Sequence, residues 1–283
     1  MPFGLSFEYS SARSPERLEA LLRTTRRLSR HAPEYYSVTY GAGGSTKDGT
    51  FETVAALREN GFAAAPHLSF GADDDAEVLS LVDRYLALGV DRIVALRGDI
   101  PSGFGSTREV RYAEDLVRLL RRHLGTKVTI EVGCYPEMHP DARSPEADVD
   151  FFLRKVDAGA DGAITQYFFN ADAYFDFVAR VRRAGVNIPI VPGIMPITGY
   201  ANLVRFSDKC GAEIPRWIKT QLAALQDDEA GIKAFGAEVV ARLCQQLIDG
   251  GAPGLHFYTL NLASATNAVL ANLRLPERHE GAG

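Results

Sequence analysis

Two periodicities alternate along this chain. Residues 15–31 place Leu18, Leu21, Leu22, Thr25 and Leu28 on one helical face, and Ser14-Pro15 supplies a cap and a first-turn proline. Before that helix runs Phe3-Gly-Leu-Ser-Phe-Glu-Tyr9, an apolar stretch of strand character; after it comes Tyr35–Tyr40, rich in β-formers. The cycle then repeats. Helices are predicted near 46–60, 74–88, 112–124, 146–158 and 171–184. Each leads to a strand, at 62–68, Arg92–Leu96, Lys127–Cys134, Gly162–Gln166 and Ile188–Ile194. Helical pieces near 199–208, 215–225 and 228–249 precede a strand at Leu255–Tyr258 and a last helix near 262–273. The pattern amounts to eight strands, each followed by helix, with no low-complexity linker.

Eight such units in 283 residues predict an α/β fold: a closed (β/α)8 TIM-type barrel, one single domain over 1–283, with 276–283 a disordered tail. A doubly wound open sheet is the rival. The strand faces favour the barrel. One parity carries Phe3, Leu5, Phe7, Val38, Tyr40, Val94, Leu96, Ile130 and Val132, and is expected to meet the outer helices. The other carries Gly4, Ser6, Glu8, Ser37, Thr39, Ala63, Ala65, His67, Glu131, Gly133, Tyr135, Gly162, Ile164 and Gln166, and is expected to face the axis. An interior so short of large aliphatics implies a wide mouth made for a ligand.

Composition narrows the function classes. Apolar content of 46% supports a sizeable core, and the net charge of −5, with no basic stripe, argues against nucleic acid or anionic membrane surfaces as partners. The N-terminus lacks a signal-peptide layout, and no apolar run is long enough to span a bilayer. Cys134, Cys210 and Cys244 are far apart and unpaired by any C-x-x-C, as expected of reduced thiols in a cytoplasmic protein.

Barrel enzymes draw functional side chains from the C-terminal strand ends. Here those ends read Glu8, Thr39, His67, Arg97-Gly98-Asp99, Tyr135, Gln166, Met195 and Tyr258, nearly all polar or aromatic. Taken singly, each has a plainer use: an ion pair with arginine for Glu8, a hydrogen-bonded core position for His67, a capped turn for 97–99. Glu131, mid-strand on the inward parity, reads as a buried structural pair. The loop Gly41-Ala-Gly-Gly-Ser-Thr-Lys47 could present backbone N–H groups to a ligand or be an ordinary turn; it fits neither nucleotide-binding glycine signature. Asp148 and Lys155 share one helix face two turns apart, suited to a ribityl hydroxyl and a pyrophosphate, or simply to solvent. No His–carboxylate cluster has metal-ligand spacing, and no lysine ends a strand, which disfavours a Schiff-base aldolase. A site without nucleophile or metal points to an organic cofactor.

Nine segments, in order over almost the whole chain, resemble the methylenetetrahydrofolate reductase family. They are Ser6–Tyr9, Ser37–Gly44, Ala65–Leu68, Ala95–Asp99, Tyr135–Pro140, Lys155–Ala160, Ile164–Phe168, Pro192–Pro196 and His256–Asn261. The resemblance implies a short, bacterial-type form comprising the catalytic barrel alone. It implies FAD as cofactor, ping-pong hydride transfer from NAD(P)H, and reduction of 5,10-methylenetetrahydrofolate to 5-methyltetrahydrofolate, feeding methionine synthesis. By the same resemblance Glu8 donates a proton to the departing N10, a role that calls for a carboxylic acid kept protonated, which burial favours. Asp99 stabilises the iminium cation. Gln166, Asn202, Phe206 and Tyr258, with Asp99, meet substrate. Thr39, Tyr40, Ala42, His67, Arg97, Gly98, Asp99, Tyr112, Ala113, Tyr135, His139, Ala142, Asp148, Arg154 and Lys155 map to flavin-binding positions.

The chain departs from the family pattern in four places. Tyr9-Ser10-Ser11 replaces an aromatic followed by prolines, Phe151 stands where relatives carry an asparagine, Asn202 replaces a glutamine, and Leu262 replaces an arginine. The expected partners are NAD(P)H and the folate, with a homo-oligomer permitted. A related flavin barrel with another substrate or a protein electron donor is the alternative. Beyond it lie a non-catalytic flavin or folate binder and a flavin-free carbon–carbon lyase.

Overall fold

A computed structural model describes residues 3–40, 47–71, 73–97, 111–226 and 228–276. Nine parallel strand segments form its wall: β1 (Gly4–Tyr9), β2 (Tyr35–Val38), β3 (Ala64–Leu68), β4 (Arg92–Ala95), β5 (Thr129–Cys134), β6 (Gly162–Thr165), β7 (Ile190–Val191), β8 (Gly193–Ile194) and β9 (Gly254–Tyr258). Their order is β7-β6-β5-β4-β3-β2-β1-β9-β8. β7 and β8 are two halves of the expected seventh strand, parted by Pro192. The first half pairs with β6 and the second with β9, so this one segment closes the sheet into a barrel. Proline has no N–H for a ladder. Its carbonyl still accepts the His256 N–H (3.0 Å), while Gly193 N–H turns to the Thr165 hydroxyl (2.9 Å).

Ten α-helices of the described residues ring the wall, including α1 (Pro15–Leu28), α3 (Asp75–Ala87), α4 (Ala113–Leu124), α5 (Pro145–Asp157), α7 (Tyr200–Cys210) and α10 (Ala263–Leu270). Their starts are chemically marked. Ser14 caps α1 and Ser144 caps α5, each with proline next, and Asp74 and Glu77 form a reciprocal capping box on α3. α1 ends in a 3-10 turn, Ser29–His31, where the sequence predicts continued helix.

The core lies between wall and helices. β1 shows why. Phe7 sits 5.9 Å from Tyr36 and 6.0 Å from Phe257 by ring centroids, and Tyr9 stacks on Tyr36 at 5.5 Å. Burying these aromatics outward leaves Ser6 and Glu8 no direction but inward, because side chains alternate along a strand. One expectation is corrected. Val94 and Leu96 do not face the helices: Val94 pairs in register with His67 and Glu131, while Ile93 and Ala95 join the outer core. The reason is Arg92, which must point inward to bond Glu131 (2.8 Å), and the pleat carries 94 and 96 to the same side.

Candidate functional site

Glu8 projects into the barrel with its side chain 16% exposed. Its Oε2 lies 3.4 Å from His67 Nε2 and 3.7 Å from His256 Nε2. No lysine or arginine pairs with it among the described residues. The strand is clamped just there, since Glu8's carbonyl accepts both the hydroxyl (2.6 Å) and the N–H (3.3 Å) of Thr259. His256 is fully buried; its Nδ1 is 2.7 Å from Ser6 Oγ and its Nε2 3.5 Å from Ser37 Oγ. Burial pushes the His67 titration point down, with Glu8 opposing and His256 reinforcing. His67 Nε2 and Thr39 Oγ1 are buried polar atoms without a hydrogen-bond partner among the described residues. Tyr9 OH, Ser11 Oγ and Thr266 Oγ1 are also without one, but Thr39 and His67 stand side by side at the ends of neighbouring strands, where a ligand could reach both.

A second group lines the β4–β5 side. Lys155 Nζ donates to the Gly133 carbonyl (2.5 Å), and Asp148 Oδ2 accepts the His139 N–H (2.9 Å). His139 in turn accepts the Asp141 N–H at Nδ1 (3.0 Å), its carbonyl takes the Ala142 N–H (2.9 Å), and its ring meets Tyr135 edge-on at 4.5 Å. Arg97 donates to Asp141 (3.3 Å). Burial lowers the Lys155 ammonium's titration point, against the pull of Cys134 and Asp148, and raises the Tyr135 phenol to about 12. Tyr40 is half-buried, its hydroxyl also raised by burial. Tyr112, just before Ala113 opens α4, faces Phe151 at 6.5 Å; Arg97 lies over the first ring (5.9 Å) and Arg154 over the second (5.0 Å).

The third group belongs to β6, β9 and α7. Tyr258 donates its hydroxyl to the Thr165 carbonyl (2.7 Å), and the Gln166 amide oxygen accepts the Tyr167 N–H (3.0 Å). A side chain at 193 would overlap both Thr165 and Tyr258, so the glycine makes room for the tyrosine ring. Tyr167 and Ser207 share a 2.9 Å hydrogen bond that ties α7 to the end of β6. On that helix Asn202 is exposed, Phe206 is half-buried, and Arg205 touches both.

The structure thus gathers Glu8 and His67 into one cluster. Arg97, Tyr135, His139, Ala142, Asp148 and Lys155 form another, and Asn202 and Phe206 a third. Ala42, Gly98 and Asp99, with the rest of loop 41–46, lie outside the described residues. Sequence reasoning missed His256 and Arg205 as neighbours of the site. The inward parity of His256, paired with Ser6 across β1 and β9, was the available signal. Glu131 behaves as expected of a structural pair: buried, bonded to Tyr35 OH (2.6 Å) and Arg92 (2.8 Å). Among the described residues no group of three His, Cys, Asp or Glu could hold a metal, and no helix is long and apolar enough to cross a membrane.

Known proteins place this geometry in context. The family model described as methylenetetrahydrofolate reductase matches residues 2–274. The 5,10-methylenetetrahydrofolate reductase of Escherichia coli (strain K12) is 37% identical over 270 residues, covering 95% of this chain and 90% of its own. A probable methylenetetrahydrofolate reductase (NADH) of Oryza sativa subsp. japonica is 36% identical, covering 96% of this chain and 48% of its own. A solved structure of an uncharacterized Clostridium thermocellum protein, titled as binding two copies of 5-methyl-5,6,7,8-tetrahydrofolic acid, superposes with a TM-score of 0.67. It covers 96% of this chain and 94% of its own at 15% identity, a likeness of fold. With a family model spanning nearly the whole barrel and relatives above one third identical, the chain belongs to the methylenetetrahydrofolate reductase family.

Proposed function

We propose that this chain reduces 5,10-methylenetetrahydrofolate to 5-methyltetrahydrofolate at the C-terminal mouth of its barrel, with NAD(P)H as the electron source and FAD as cofactor. The carrying observation is Glu8: an inward carboxyl flanked by two imidazoles, partly open to the mouth and with no lysine or arginine beside it among the described residues. A carboxyl saturated by arginine would be a poor proton donor; this one has no such partner among the described residues.

The residues present fit the flavin. Thr39 Oγ1 and His67 Nε2 make no hydrogen bond among the described residues, and Lys155 and Arg154, with Arg97 shared with Asp141, offer cations for a pyrophosphate. Tyr40, Ala42, Gly98, Tyr112, Ala113, Tyr135, His139, Ala142 and Asp148 complete the proposed cradle. When bound, FAD supplies two-electron hydride chemistry between nicotinamide and folate. The chain's own part is the proton and the charge. Glu8 gives its proton to N10 of the substrate, which frees that nitrogen to leave and opens the ring. Asp99 supplies negative charge against the iminium cation that opening creates. Gln166, Phe206, Asn202 and Tyr258 orient the pterin and its tail. The three free cysteines suit a reducing, cytoplasmic setting.

The test is stopped-flow kinetics on Glu8→Gln in two half-reactions. Flavin reduction by NADH and by NADPH should persist at near wild-type rate, while folate reduction is lost. Reduction of neither wild-type nor variant by any nicotinamide would favour a protein electron donor, and full folate turnover by the variant would remove Glu8 as the donor.

A further inference from the structure

We propose that Arg205 is a specificity-determining residue, binding the glutamate carboxylates of the folate tail; this rests on the folate reading above. The guanidinium springs from the exposed side of α7 yet folds back across it. It donates to the Asn202 amide oxygen (3.2 Å) and lies 5.2 Å over the Phe206 ring, joining the two α7 residues proposed to meet substrate. Asn202, Arg205 and Phe206 stand at i, i+3 and i+4, so they share one stripe of the helix, and Lys209 extends it by another turn.

The charge on this stripe is uncommitted. Three cations near the mouth are paired with an acid: Lys47 with Asp73, Arg97 with Asp141 and Arg111 with Asp75. Arg205 pairs with no carboxylate among the described residues, and a neutral amide leaves most of its five donors open. At the end of β9, Leu262 is apolar and 49% exposed, so that lip presents no cation at this position. A tetrahydrofolate combines a flat ring system with one or more carboxylates at the far end. An arginine lying over an aromatic ring, beside a hydrogen-bonding amide, is suited to take a carboxylate bidentately. Helix α7 is itself anchored through Tyr167 and Ser207, so the guanidinium is presented from a fixed support.

Steady-state kinetics and calorimetric binding on wild type, Arg205→Ala and Arg205→Lys would test this. Paired ligands would be a tetrahydrofolate with its glutamate and a tetrahydropteroate lacking it. Arg205→Ala should raise KM and Kd for the glutamyl ligand about tenfold, the worth of one charge-assisted hydrogen bond. It should leave kcat, KM for the nicotinamide and affinity for the tetrahydropteroate unchanged. Arg205→Lys should recover part of the loss, and added salt should erode the wild-type preference for the glutamyl ligand. Equal effects of Arg205→Ala on both ligands, or none on either, would overturn the assignment. Wild type that binds the glutamyl ligand without reducing it would sink the proposed reaction while still reading out Arg205.

Discussion

The barrel interior holds two glutamates on the inward parity, and they live differently. Glu131 is saturated. Tyr35 OH and Arg92 each donate to one of its oxygens, and the Arg92 guanidinium also covers the Tyr35 ring at 4.4 Å. Burial and the neighbouring carboxylate hold the Tyr35 phenol well above its ordinary range, so it stays a donor. Glu8 is under-bonded. Its closest ionisable neighbours are two imidazoles at 3.4 and 3.7 Å, and the nearer one, His67 Nε2, makes no hydrogen bond among the described residues. A carboxylate whose oxygens are both engaged by donors has nothing left to give. One held in place by its backbone, with its oxygens loosely attended, can exchange a proton with a visitor. On the proposed function, the contrast separates a structural acid from a chemical one, both of them glutamates.

Four substitutions would break or sharpen that contrast. The largest effect belongs to Glu8→Gln, which should cut folate reduction at least about a hundredfold, the scale of lost acid catalysis, while the urea midpoint of unfolding barely moves. Glu131→Gln should do the reverse. Removing the charge at 131 leaves Arg92 only the looser Glu34 at 3.9 Å and costs about 2 kcal/mol, seen as a lowered urea midpoint, with the remaining folded enzyme active.

His67 gives a smaller, pH-dependent effect. Its titration point is depressed by burial from the ordinary 6.5, so the unfolded chain takes up a proton before the folded one does. The contribution is complete above about pH 6.5 and is lost as pH falls from there through the lowered value. His67→Gln should flatten that part of the stability–pH curve, measured by chemical unfolding across pH 5–8. Thr39→Val is the smallest. Deleting an orphaned hydroxyl should leave the ligand-free protein as stable as before and weaken flavin binding a few-fold, about 1 kcal/mol, by fluorescence titration.

Much of this was legible from residues alone, and the failures have physical causes. Ser14-Pro15 and Ser144-Pro145 announce helices because capping chemistry is local. Strand β4 defeats the alternation rule because Val94 and Leu96 on one face are as apolar as Ile93 and Ala95 on the other; only the bond from Arg92 to the distant Glu131 fixes which way it turns. His256 hid for a similar reason: it sits between aromatics in a strand, and its partner Ser6 is 250 residues away. Spacing put Asp148 and Lys155 on one face, but what they grip are backbone atoms, the His139 N–H and the Gly133 carbonyl, which no composition reveals. Arg205 reads as an ordinary solvated helix residue until its guanidinium is seen folded over Phe206.

Pro192 leaves the wall with an uneven seam. Most neighbouring strands share three to five registered pairs, but here two pairs of residues on each side of the break, helped by the Thr165 hydroxyl and the Tyr258 phenol, hold the circumference shut. Thermal breathing of a closed cylinder concentrates where its stitching is sparsest. In this molecule that place adjoins Tyr258 and Gln166, so the same interruption that completes the ring also grants its rim a little elasticity, beside two of the residues proposed to meet substrate.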